Sequence, residues 1–346
     1  MEMRRECYSS GEAGVSEILG VTMLLAMVVA IMSAVVVFLQ PFVIDLNDNR
    51  AWAAGGVTAE QLNNRLLVVA DMPNGTGLAH ETGIPGGGIN VLFNVESWTI
   101  GADIHGNDRV EVHRNGSGIV IQSDNRTADA VRITADDVIQ GTWQLDAMPA
   151  LIDERIPYTS TLQVEVLDRN GTVIHRWAEI SIDGLRLSSP LSQGTFDVDL
   201  SNGAVIKNLP GDDVQIERFP RLSHRSTIDG GHTVRLVLLD VDVDPNATDL
   251  NRNLDMTSQG ILNLFDENHA RNFFLHFEVG GQTTVEPRYV DHWTSEHTLR
   301  IATGDLGGYS GFGPKGPLSG ADGLTFHSDT ETFGLEVMIQ RVKVIP

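Results

Sequence analysis

Residues 240–255 read DVDVDPNATDLNRNLD, with a side-chain oxygen at every second position from Asp240 to Asn246 and again from Asp249 to Asp255. Carboxylate and amide oxygens at that density suit a hard cation, because calcium gathers about 6–8 oxygen ligands. The candidate calcium set is Asp244, Asn246, Asp249, Asn251, Asn253 and Asp255. An EF-hand is excluded, since the run lacks the turn glycine and ends on Asp255 where that loop needs glutamate. The competing reading of the first half is an alternating strand that keeps its carboxylates in water. A second chemistry is offered by N-x-S/T sequons at Asn74, Asn115, Asn125, Asn170 and Asn246, each a glycosylation acceptor if the chain leaves the cell. Asn-Gly-Ser/Thr is also good turn chemistry without any sugar.

Catalytic patterns are sparse. Gly311–Gly316 spells G-x-G-x-x-G, but no strand–helix context surrounds it and Pro314 stands where the helix would begin. The patterns G-x-S-x-G, H-E-x-x-H and C-x-x-C are missing from the sequence. His269, His276, His292 and His297 lack metal-ligand spacing and read as solvated or hydrogen-bonded side chains. Acidic residues are plentiful without any pair that stands out as a dyad. The chain is therefore read as a non-enzyme that needs no cofactor other than the candidate calcium.

The elements that must carry these residues follow from charge and hydropathy. With 46 acidic and 24 basic residues the formal charge is −22, spread along the chain. Nucleic acid is excluded as a partner, because phosphate binding depends on clustered Lys and Arg. The single cysteine, Cys7, rules out a disulfide within one chain, so stability must come from a buried core. Ile18–Leu39 holds 22 residues without charge or proline. At about 1.5 Å per residue it crosses a hydrocarbon core of about 30 Å. It exceeds the usual apolar core of a secretory signal, and no A-x-A-like site follows Leu39, so the segment is expected to be retained. Arg4 and Arg5 before it, with Asp45 and Asp48 after it, put the N-terminus in the cytoplasm and the rest outside. Ala26, Ala30 and Ala34 recur every four residues, a small-residue stripe that suits close helix packing.

Gly14-Val15-Ser16-Glu17-Ile18-Leu19-Gly20, behind a short polar leader with Arg4 and Arg5, resembles the start of archaeal type IV pilins. The resemblance covers about residues 4–40. It implies that a prepilin peptidase cuts the leader between Gly14 and Val15, or one residue toward Ala13. The helix then stays attached and packs against other pilin-like subunits in a filament core. Such a cut would remove Cys7.

The expected fold class is mainly β: a transmembrane, pilin-like α-helix followed by an antiparallel β-sandwich-like ectodomain. The divisions are a leader at 1–14, a filament-core helix at 15–42, a helical stalk and linker at 43–87, and β-rich halves at 88–209 and 210–346. One continuous β domain is the alternative to the two halves. In the stalk, a bend is expected at Pro41 or at Gly55-Gly56, then a second helix over Ala59–Ala70 capped by Thr58 and closed by Pro73. Asn115-Gly116, Asn170-Gly171 and Asn202-Gly203 each sit between β-rich runs and mark hairpins. Further strands are expected at 234–243, 273–279, 283–289, 298–302 and 335–345, a short helix at 257–265, and a glycine-rich loop at 304–323. The leading functional expectation is a structural cell-surface subunit, a minor or tip pilin included, serving adhesion or surface interaction. The alternative is a monomeric membrane-anchored glycoprotein that binds a ligand or the cell envelope.

Overall fold

The computed structural model describes residues 11–81, 87–105, 110–123, 127–152, 159–211, 214–226, 232–243, 253–280, 284–296, 300–303, 323–327 and 332–345. The chain divides into two compact units, Met1–Ala53 and Ala54–Pro346. Helix α1 runs from Gly11 to Ala70 with Pro41 inside it. The expected pair of helices is therefore one element. Pro41 removes one backbone hydrogen bond, yet the helix continues through it. Gly55 does not break the helix either; it lets the backbone approach the sheet. A Cβ there would lie 3.0 Å from the Ser189 hydroxyl and 3.3 Å from the Phe196 ring.

The second unit is mainly β, as expected. Its first strands are β1 (Gly77–Glu81), β2 (Gly88–Asp103), β3 (Val110–Asn115), β4 (Gly118–Ser123), β5 (Ala128–Ala135) and β6 (Val138–Gln144). Then come β7 (Ala150–Ile152), β8 (Thr161–Asp168), β9 (Val173–Leu191), β10 (Gly194–Ser201), β11 (Ala204–Asn208) and β12 (Gln215–Arg218). The last are β13 (Arg221–Ser226), β14 (His232–Val243), β15 (Asn253–Val279), helix α2 (Val285–Glu296), β16 (Arg300–Thr303), β17 (Gly323–His327) and β18 (Phe333–Ile345).

The three Asn-Gly signals each close a hairpin: β3–β4, β8–β9 and β10–β11. At the third, Asn202 (φ 52°) and Gly203 (φ 74°) both take the left-handed conformation that a two-residue turn demands. Among the described residues, pairing is antiparallel except for β14 with β18, which run parallel from Thr233↔Gly334 to Val243↔Val344. The path β12-β11-β10-β9-β2-β15-β18-β14-β13 orders the main sheet, while β3-β4-β7 form a small separate one.

The path folds into two layers because β15 belongs to both. Its residues 255–270 pair with β18, and its residues 271–279 pair with β2. Bulges between Glu267/Ala270 and Arg271/Phe274 mark the crossing, where an extra residue sharpens twist and bend. Residues 257–265, expected to be helical, are thus strand; pairing with β18 overrides their local preference. Residues 285–289, expected in a strand, open α2. Val285, Tyr289 and Trp293 are buried at four-residue spacing, which is a helical face.

Among the described residues, three buried clusters result. The first lies between the layers and stacks Trp98 on Phe277 at 4.9 Å beside Leu236, Val337 and Trp293. The second seats Leu62, Leu66 and Val69 of α1 against β9, β10, β14 and β18. The third joins β3, β4, β5 and β8 to the first half of β9. Strands from both expected halves contribute to the first two clusters.

Candidate functional site

The first candidate element is the apolar length of α1. The helix from Ile18 onward is long and apolar enough to cross a membrane. Its apolar side chains, including Leu24, Met27, Val36 and Phe38, are exposed. The one hydroxyl early in the span is satisfied locally: Thr22 Oγ1 donates to the carbonyls of Ile18 (2.9 Å) and Leu19 (3.0 Å). Ala26, Ala30 and Ala34 are exposed and, being four residues apart, share one helix face. Gly14 and Val15 lie near the start of the same helix.

The sequons occupy different settings. Asn115 and Asn170 are exposed at the β3–β4 and β8–β9 turns, and Asn74 is exposed in the turn after α1. Asn170 also accepts the turn role, since its backbone N–H donates to Asp168 Oδ1 at 2.8 Å. Asn125 and Asn246 lie outside the described residues, as do Asp244, Asp249 and Asn251 of the candidate calcium set. Asn253 and Asp255 begin β15, exposed on one face, opposite Glu81 and Ala79 of β1. Among the described residues no group of three His, Cys, Asp or Glu side chains is arranged to hold a metal ion. An Asp–His pair exists, Asp103 Oδ1 to His175 Nδ1 at 2.7 Å, but both side chains are in the core.

The second candidate element is a groove of about 690 Å³ between the layers. Its floor is built by residues far apart in sequence. In β2, the register shift between Leu92 and Glu96 lifts Asn94 into a left-handed conformation (φ 49°), and its N–H donates to Asp183 Oδ1 at 2.7 Å. The Asp183 N–H in turn donates to Asp240 Oδ1 at 3.1 Å, bridging β9 to β14. Asp242, two residues on and therefore on the same face, accepts from Gln259 Nε2 at 3.0 Å. Facing these carboxylates, Arg341 of β18 donates to Thr161 Oγ1 at 2.7 Å and lies 3.9 Å from Asp240 Oδ2. It also lies 3.7 Å from Asp137 and 3.9 Å from Asp136 in the β5–β6 turn. Arg114 closes the far wall in a 2.8 Å pair with Glu179.

Burial is the main force on the acids. It pushes Asp240 up to about 6, helped by repulsion from Asp183 and Asp242 and opposed by the Asp183 N–H and Arg341. Burial likewise raises Asp183, with Asp242 adding to the rise and the Asn94 N–H opposing it. Deeper in the core, burial raises Glu96 although Ser201, Trp98 and Asn202 all donate to it.

Sequence reasoning took Asp240 and Asp242 as members of an acidic run and offered water as their surroundings. The strand is there, but Asp240 is only 7% exposed. Asp183, Arg341 and Arg114 were not singled out, because nothing local distinguishes them from other charged strand residues. Comparison with family models, curated protein sequences and solved structures returns no match for this chain.

Proposed function

We propose that the chain is a structural cell-surface protein, a pilin-like subunit retained by its N-terminal helix and assembled through it. The observation that carries this reading is the uncharged, exposed stretch Ile18–Leu39 of α1, directly behind a polar leader with Arg4 and Arg5. No lipid-facing hydrophobic drive joins such helices, so packing of small residues must hold copies together. The stripe Ala26, Ala30 and Ala34 supplies that face. Residues beyond the span lie outside the cell, and Asn74, Asn115 and Asn170 are glycan acceptors there. The function is structural and adhesive rather than catalytic.

The test is made in an archaeal host with its own prepilin peptidase. Mass spectrometry finds the mature N-terminus at Val15 or one residue away, and sheared filaments contain the chain. Ala30→Phe reaches the membrane at normal levels but yields few filaments, because the ring separates backbones that must approach. A mature chain beginning beyond Leu39 overturns the proposal. A retained helix with no filaments leaves the monomeric anchored glycoprotein in its place.

A further inference from the structure

We propose that the groove between the β layers binds a neutral, polyhydroxylated ligand of the saccharide class. Its volume of about 690 Å³ is that of a small-molecule site. Among the described residues that line it, Ile180 is the one apolar side chain. The chemistry of that lining excludes other ligands in turn. An apolar ligand would strip water from carboxylates, guanidinium groups, amides and hydroxyls and return no hydrogen bonds. An anion would be repelled by Asp183, Asp240, Asp242 and Glu179, four carboxylates against the two guanidinium groups of Arg114 and Arg341. A single hard cation finds no set of three carboxylates arranged to share it among the described residues.

A saccharide meets both needs of the lining at once. Each sugar hydroxyl donates one hydrogen bond and accepts others, so vicinal hydroxyls pair with a carboxylate on one side and a guanidinium fork on the other. Asp183 and Asp240 bond to N–H groups through one oxygen each. Burial raises both acids and Asp242 repels each, so donated hydroxyl protons would stabilise their charged forms. Gln259 and Asn94 bring amides that donate and accept. The site rests on the β-rich unit alone and is independent of whether α1 forms filaments.

The test uses the full chain in nanodiscs. Cellobiose, maltose, diacetylchitobiose, a glucuronate-containing disaccharide and calcium chloride alone are the probes. Saturation-transfer NMR shows binding of at least one neutral disaccharide, with weaker transfer to the glucuronate. Asp242→Asn weakens that binding about tenfold, as expected for one charged hydrogen bond. Ser97→Trp, at an exposed lining position, abolishes it by filling the groove. Neither variant melts below the parent, which separates a lost site from a lost fold. No transfer to any neutral sugar overturns the proposal, as does binding that survives both substitutions. Calcium heat that Asp242→Asn removes, without sugar binding, assigns the groove to a cation instead.

Discussion

At the scale of single residues, the acids held between the layers govern how stability responds to pH. Asp240 titrates at about 6 in the folded chain, against an ordinary value near 3.8. Between those values the folded state binds more protons than the unfolded one, so stability rises as pH falls through 6 and levels off near 4. The difference is on the order of 3 kcal/mol. Glu96 and Asp183, also raised by burial, add in the same direction. Thermal unfolding at pH 7.5 and 5.5 should therefore give the higher midpoint at pH 5.5. Asp240→Asn keeps an oxygen for the Asp183 N–H and removes the charge, so it should shrink that rise. An equal rise in the variant would show that Asp240 does not carry it. The alternation of Asp240 and Asp242 was legible in the sequence. Burial of the first was not, because it depends on Asp183 and Arg341, whose strands reach it only through the fold.

At the scale of elements, α1 has an exposed apolar stretch and a buried stretch along one helix. Residues 18–39 expose apolar side chains throughout, whereas Leu62, Leu66 and Val69 are buried among β strands. Leu66→Ala should cost about 2–5 kcal/mol, because it removes methyl groups and leaves a cavity between packed strands. Leu25→Ala, in the exposed span, should change the stability of the β-rich unit by less than about 0.5 kcal/mol. Denaturant unfolding of both variants in one detergent makes the comparison. Equal losses would mean that α1 contributes nothing particular at Leu66. The i, i+4 spacing of Leu62 and Leu66 was readable as a helix, and Pro73 as its end. Gly55 misled, because a glycine that permits close approach and one that breaks a helix look identical in sequence. Only the position of Phe196 and Ser189 separates them.

At the scale of the whole molecule, a formal charge of −22 acts against compaction. Screening relieves it, since the Debye length falls from about 10 Å at 0.1 M salt to about 3 Å at 1 M. Raising sodium or potassium chloride across that range should raise the melting midpoint, and similarly for both cations. The partly buried pairs of Arg341 and Arg176 are screened less than exposed charge and oppose this only weakly. A midpoint that falls with salt would show ion pairs outweighing repulsion. By itself the sequence determined the membrane-length helix, the mainly β class and the three Asn-Gly hairpins. Each rests on short-range causes: unbroken apolar length, alternation, and the left-handed turn that Asn and Gly tolerate. The tertiary structure alone decided the parallel pairing of β14 with β18, the passage of β15 between layers, the helical state of residues 285–289, and the groove. Those depend on which distant surfaces bury each other. Strand pairing is a choice among many partners of similar local propensity, and only packing of the assembled core selects one.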